Sequence, residues 1–143
     1  MALTGIDVAP DGAPRFPNTG KRPVGRTTTT GAVTKDSGRG SNGPVGIAAG
    51  PDGALWFTNR AGNSIGRITV TGKVTTYRGT KINRPYAITT GPDHALWFTN
   101  SGSNSIGRIS VTGKVTNYTV TGVASPTGSA ARPAAHPRPG PAP

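Results

Sequence analysis

One sequence motif returns along the chain at a fixed interval. The tetrapeptide Trp-Phe-Thr-Asn occupies residues 56–59 and returns at residues 97–100. Aligned without a gap, residues 44–84 and 85–125 are identical at 25 of 41 positions, and residues 3–43 match 44–84 at 17 of 41. A fixed period of this length is typical of stacked or radially arranged copies of one supersecondary unit, in which no copy buries its apolar surface alone.

Each unit contains four short segments with strand character and tight turns between them. In the turn Gly-Pro-Asp-Gly at residues 50–53, Pro presets φ and Gly tolerates a positive φ. No segment shows a helical period, and β-branched residues dominate. The pattern predicts an all-β fold, a partial β-propeller made of four-stranded antiparallel blades with a 41-residue repeat. The strands of the second unit are predicted at residues 46–49, 54–58, 65–70 and 73–77.

The predicted blades differ in how completely they keep the repeat motif. Residues 44–84 and 85–125 are intact blades, and we expect residues 55–58 and 96–99 to be interior strands of adjoining sheets. Residues 1–43 form a degenerate first blade, because Pro-Arg-Phe-Pro stands at 14–17 in place of Leu-Trp-Phe-Thr. Two prolines and a charge predict that no central buried strand forms there. Residues 126–143 are a Pro/Ala-rich tail that we expect to be disordered, and the failing fourth unit suggests a piece of a longer array.

Composition restricts the function classes. The chain has no cysteine, which excludes disulfides and thiolate metal sites. Without a signal peptide or an apolar stretch of membrane-spanning length, we expect a cytoplasmic protein with no membrane partner. The net charge of +11 invites a nucleic-acid partner, but the basic residues are scattered and lack interleaved aromatics, so such a partner is disfavoured.

The second unit contains three ordered motifs: Ile-x-x-Gly-Pro-Asp-Gly-x-Leu-Trp-Phe-Thr at 47–58, Ile-Gly-Arg-Ile at 65–68 and Gly-x-Val-Thr-x-Tyr at 72–77. Together with their copies in the third unit, they resemble the repeat of the streptogramin B lyases, the virginiamycin B lyase family. The resemblance implies a seven-bladed propeller that confers antibiotic resistance by linearising a macrolactone antibiotic through carbon–oxygen bond elimination. It also implies a histidine general base and a Mg²⁺ ion held by carboxylates.

Polar residues at the expected catalytic positions depart from that family. The chain has five Asp and no Glu, and Asn59 and Asn100 stand where blades of the family often carry Glu. These two asparagines are the best candidates for substrate binding, with a turn role as the alternative. His94 is expected in a turn with positive φ, and His136 lies in the Pro-rich tail. No catalytic or metal-binding residue is therefore assigned, and Mg²⁺ rests on the resemblance alone.

Three other kinds of position carry structural expectations. Asp52 and Asp93 are expected to stabilise turns through hydrogen bonds to the backbone. Trp56 and Trp97 are expected between blades rather than facing a substrate. Arg67 and its repeat counterpart Arg108 are expected to cover aromatic surface or cap a carbonyl.

Two functions remain open at the level of the sequence. One is a streptogramin B lyase-like chain that is inactive alone and self-associates through exposed blade edges. The alternative is a non-catalytic propeller-repeat binding or scaffold module, since fold alone does not decide function. Nucleic-acid binding ranks third and rests only on charge.

Overall fold

Three antiparallel sheets of four strands each make up the described part of the chain. The computed structural model describes residues 5–17, 24–27, 30–35 and 43–119. Within each sheet the strands follow one another in chain order, so each sheet is a meander of one repeat. We call the sheets blade 1, blade 2 and blade 3. Their strands are β1 (Asp7–Val8), β2 (Pro14–Pro17), β3 (Val24–Thr27) and β4 (Val33–Lys35); β5 (Pro44–Ala49), β6 (Leu55–Asn59), β7 (Ser64–Ile68) and β8 (Val74–Arg78); and β9 (Pro85–Thr90), β10 (Leu96–Asn100), β11 (Ser105–Ile109) and β12 (Val115–Thr119).

The second strand of each repeat is the buried one. β6 pairs with β5 on one side and β7 on the other, and all five of its residues are buried. Successive side chains alternate between the two faces of a strand, so a continuous apolar run fits a strand covered on both sides. The prediction of interior strands at residues 55–58 and 96–99 is confirmed.

The prediction for the centre of blade 1 is wrong. Residues 14–17 form β2, which pairs with β1 and β3, and Arg15 is only 1% exposed. The strand survives because the two prolines lie at its ends. The guanidinium of Arg15 is neutralised by two hydrogen bonds to Asp11, at 2.8 and 2.9 Å, so the charge is not buried unpaired.

The core consists of two layers, one on each side of blade 2. Leu55, Phe57 and Ile68 face blade 1, whereas Trp56 and Ile65 face blade 3. This alternation follows the two-residue period of the strands. First strands of neighbouring blades lie side by side, because β5 contacts both β1 and β9. Face-to-face blades with adjacent first strands form part of a β-propeller, as the sequence predicts.

Each blade also carries a phenylalanine whose ring covers the glycine opposite it on the third strand. Phe57 pairs with Gly66 and Phe98 pairs with Gly107. A Cβ added at either glycine would collide with the ring. The recurrence of both residues at the same places in successive repeats therefore has a packing cause.

The antiparallel meander gives every blade two different ends. Loops between first and second strands carry Asp11, Asp52 and Asp93, and we call this the Asp-turn end. The opposite end, where second strands finish and the chain passes to the next blade, is called the linker end. None of the described residues belongs to a helix long and apolar enough to cross a membrane.

Candidate binding site

A cavity of about 230 Å³ lies where the first strands of the three blades converge. We call it the axial cavity. Its wall is built from equivalent positions of successive repeats, so the symmetry of the array creates it. The lining residues are Gly5, Ile6, Val45, Gly46, Ile47, Tyr86, Ala87 and Ile88.

The threonine of the Leu-Trp-Phe-Thr motif holds the first strands in place. The hydroxyl of Thr58 accepts a hydrogen bond from the Gly46 amide at 2.9 Å and donates to the Tyr86 carbonyl of the next blade at 2.7 Å. Thr99 accepts from the Ala87 amide at 3.0 Å in the same way. Both pairs of strands shift register near this point, so the side chain replaces part of the backbone ladder.

One aromatic and one basic side chain meet near the axial cavity. The Arg60 guanidinium carbon lies 5.9 Å from the centre of the Tyr86 ring, within cation–π range. Arg60 follows β6 at the linker end, and Tyr86 lines the cavity. Their repeat counterparts are Ser101 and Val45, so neither residue belongs to the shared motif. The pair was not predicted from the sequence, although both residues visibly depart from the repeat.

The two predicted substrate-binding residues lie at the linker end and are fully buried. Asn59 donates to the Ser64 hydroxyl at 3.1 Å. Asn100 accepts from the Asn83 amide at 3.0 Å and donates to the Lys81 carbonyl at 2.9 Å, which ties the linker between blades 2 and 3 to β10. Through these hydrogen bonds, both amides stabilise the fold at the linker end. Their role in substrate binding stays a prediction.

At the Asp-turn end, Asp52 organises a cluster of charged and aromatic groups. Its carboxylate accepts from the indole nitrogen of Trp56 at 3.1 Å, from the Ala54 amide at 3.3 Å and from Nε of Arg67 at 2.7 Å. The Arg67 guanidinium also lies 5.9 Å from the Trp56 ring centre. Trp56 stacks on Tyr77 at 5.5 Å. The turn role of the aspartate and the covering role of the arginine are confirmed.

The cluster recurs in the other blades with one change. Asp93 accepts from Trp97 at 3.0 Å and from Arg108 at 2.7 Å. In blade 1, where the tryptophan is replaced, Asp11 binds the guanidinium of Arg15 instead. The residue at the tryptophan position therefore donates to the carboxylate through an indole in blades 2 and 3 and through a guanidinium in blade 1.

These contacts keep the three carboxylates ionised. The hydrogen bond from Arg15 is the main cause that lowers the pKa of Asp11 to about 2. Hydrogen bonds from its indole partner and then its guanidinium partner lower the pKa of Asp93 to about 2. For Asp52, burial raises the pKa, but the hydrogen bonds from the arginine and tryptophan outweigh it and the pKa is lowered.

The metal-ligating side chains among the described residues do not fit a magnesium ion held by carboxylates. They include no group of three or more His, Cys, Asp or Glu side chains that could hold a metal. His94 is exposed at the Asp-turn end with φ of 60°, which confirms its predicted turn conformation. The five residues of β10 separate that end from Asn100 by about 15 Å. His136 lies outside the described residues.

The blades and the axial cavity define a protein of the β-propeller class. A family model described as the virginiamycin B lyase family matches residues 1–135. The chain therefore belongs to the virginiamycin B lyase family. A comparison with curated proteins gave no significant match.

Two solved lyase structures have the same fold as this chain. A catalytically inactive histidine-to-alanine variant of virginiamycin B lyase from Staphylococcus aureus, with quinupristin, is 37% identical and has a TM-score of 0.84. The match covers 91% of this chain and 45% of that one. A streptogramin B lyase structure is 40% identical with a TM-score of 0.80, covering 88% of this chain and 43% of that one. The chain thus spans a little under half the length of these lyases.

A more distant structure shares the fold alone. A putative gluconolactonase is 19% identical, with a TM-score of 0.69 over 88% of this chain and 52% of that one. At this identity the likeness carries no argument about activity.

Proposed function

We propose that the chain is the ligand-contacting part of a streptogramin B lyase-type propeller, and that by itself it binds a macrolactone antibiotic without linearising it. The observation that carries the proposal is the axial cavity with Tyr86 and Arg60 beside it, in a chain 37% identical to a lyase whose structure was determined with quinupristin. In the family, the reaction is cleavage of a carbon–oxygen bond by elimination.

The size of the axial cavity supports a partial site. Ligand pockets usually measure about 300–1,000 Å³, and this one measures about 230 Å³. Its wall is apolar apart from backbone groups and the Tyr86 hydroxyl. A tyrosine ring with an arginine above it offers both apolar area and hydrogen-bond donors to a large ring. One sector of a macrocycle would be held here, and further blades would hold the rest.

The three aspartates of the Asp-turn end support the proposed lack of catalysis. Elimination needs a base of matched pKa beside the proton to be removed and a group that stabilises the developing enolate. Asp11, Asp52 and Asp93 are each engaged by an arginine, and their pKa values are lowered, which weakens them as bases. All three lie at the Asp-turn end, away from Arg60.

The test uses the purified chain, quinupristin and Mg²⁺. Ring opening by elimination conserves the mass of the antibiotic, whereas hydrolysis adds one water. The linear product is therefore separated by chromatography before it is weighed by mass spectrometry. We expect intact antibiotic and saturable binding by calorimetry. Linear product that disappears on chelation of the metal would overturn the proposed inactivity.

A matched pair of variants locates the binding site. Tyr86→Ala removes the ring at the axial cavity, and we expect affinity to fall at least tenfold. Val70→Ala shortens an exposed side chain in the turn after β7, away from the axial cavity and from the outward faces of blades 1 and 3, and we expect no change. Equal losses in both variants, or no binding by the parent chain, would contradict the assignment of the site.

The alternative function, a non-catalytic binding or scaffold module, has its own support. Asn59 and Asn100 stand where blades of the family often carry glutamate, and their amides are engaged in hydrogen bonds within the fold. The module is favoured if the chain binds ligands other than streptogramins as tightly as quinupristin.

A further inference from the structure

Among the residues that the structure describes, none covers the outward face of blade 1 or of blade 3, and we call these two surfaces the open faces. In blade 3, the face opposite blade 2 carries Trp97, Ile106 and Tyr118, and Tyr118 is 44% exposed. In blade 1, the face opposite blade 2 carries apolar residues with exposures of 52 to 65%. They are Ile6, Val8 and Val33.

The contact between blades 2 and 3 shows what such faces bind. Blade 2 presents Trp56, Ile65 and Tyr77, which pack against the neighbouring face of blade 3. The ring of Tyr77 fills the space beside Gly113, where an added Cβ would collide with it. The tyrosine is a knob, and the glycine turn of the next blade is its hole.

The open faces carry the same knob and the same hole. Tyr118 stands one repeat length after Tyr77, just as Trp97 and Ile106 follow their blade 2 counterparts. Gly31 stands two repeat lengths before Gly113 and shares its positive φ, +91° against +94°. An added Cβ at Gly31 meets no atom of the described residues within 4 Å. Within the described part of the chain, blade 1 therefore has an unfilled space beside Gly31 that matches the exposed Tyr118 of blade 3.

We propose that the open face of blade 3 binds the open face of blade 1 of a second copy of this chain, head to tail, with Tyr118 of one copy against Gly31 of the other. Tyr118 and Val33 lie on the two sides of each such contact. Two copies bring six blades together, within the four to eight of closed propellers, so a ring of two copies is the expected product. The formation of two equivalent contacts in one ring favours closure over open chains.

The net charge of +11 opposes association, and it sets the conditions of the test. At about 0.15 M salt the Debye length is about 8 Å, so repulsion between distant charges is screened while apolar contacts persist. Molar mass is measured by light scattering after size exclusion across a hundredfold range of concentration. We expect twice the mass of one chain at the upper end.

Two variants test the faces separately. Tyr118→Glu and Val33→Lys each place a charge on an exposed position, and we expect each to shift the dissociation constant at least tenfold towards monomer. The control is Val70→Glu, a change of a similarly exposed apolar residue that lies in the turn after β7, outside both open faces. Circular dichroism spectra matching the parent chain confirm that all three variants fold.

Mixing the two variants tests the polarity of the contact. In a head-to-tail ring, Glu at one copy's blade 3 meets Lys at the other copy's blade 1, and the second contact is unaltered, so we expect association to return. A monomeric parent chain at all concentrations, an assembly that survives both substitutions, or a mixture that stays monomeric would each overturn the proposal.

Discussion

Asp11, Asp52 and Asp93 occupy equivalent turns of the three blades, and each accepts hydrogen bonds that tie its turn to the neighbouring strands. Asp52 and Asp93 accept from an indole and a guanidinium, while Asp11 accepts from Arg15. The sequence predicted the turn position of Asp52 and Asp93 from the Pro-Asp dipeptide. It could not predict the arginine contact, because Arg67 is distant from Asp52 along the chain and is brought close only by the pairing of β6 with β7.

At the residue scale, these aspartates predict loss of stability in acid. Their folded pKa values are lowered, to about 2 for Asp11 and Asp93, from an ordinary value near 3.8. A lowered folded pKa contributes stability that is fully present above the unfolded pKa and is lost as pH falls through the folded pKa. We therefore expect the free energy of unfolding in urea to be flat from pH 7 to about 5 and to fall between about pH 4 and pH 2.

The control for this prediction is Asp93→Asn, which keeps the shape but removes one ionising group. We expect a lower stability at pH 7 and a shallower fall between pH 4 and pH 2 than in the parent chain. A variant with the same acid slope as the parent would show that these carboxylates do not cause it.

At the element scale, the sequence located the strands of the intact repeats to within one or two residues. Residues 54–58 were predicted where β6 spans Leu55–Asn59, and 65–70 where β7 spans Ser64–Ile68. The error at β2 had a specific cause. Proline disfavours the middle of a central strand, but both prolines lie at the ends of β2. The charge of Arg15 is tolerated inside because Asp11 pairs with it, and the sequence alone does not reveal this pairing.

The packing of phenylalanine on glycine gives a prediction for the third strand. In Gly107→Ala the new Cβ collides with the ring of Phe98, and we expect a loss of about 1–3 kcal/mol in the free energy of unfolding, as for other overpacked cores. The matched control is Gly79→Ala, where an added Cβ meets no atom within 4 Å. Its expected change is within about 1 kcal/mol, on the stabilising side. Equal stability of the two variants in urea would contradict the packing argument.

At the scale of the whole molecule, the repeat predicted the scaffold better than the site. A residue shared by all repeats is required by every blade, so the shared motif contains the core and the turn clusters. Asn59 and Asn100 were chosen from that shared set, and both hold loops. The pair of Arg60 and Tyr86 differs from its repeat counterparts and joins two successive blades, so only the fold brings it together.

The position of a blade in the array predicts different costs for the same substitution. Trp56 and Trp97 have equivalent aspartate, arginine and tyrosine partners, but Trp56 is 0% exposed against blade 3, whereas Trp97 lies on the open face of blade 3. We expect Trp56→Ala to cost about 3–5 kcal/mol in the free energy of unfolding, the range for a buried aromatic. Trp97→Ala is expected to cost about 1–2 kcal/mol in a dilute sample, because solvent fills the space.

Concentration then separates the local contribution of Trp97 from that of a docked second copy. If blade 1 of another chain covers Trp97, the cost of Trp97→Ala rises with protein concentration towards the cost of Trp56→Ala, since binding stabilises the parent more than the variant. The cost of Trp56→Ala stays constant, because its contact lies within one chain. Equal costs in dilute solution would mean that the open face is already covered within the chain, and the difference between the two blades would disappear.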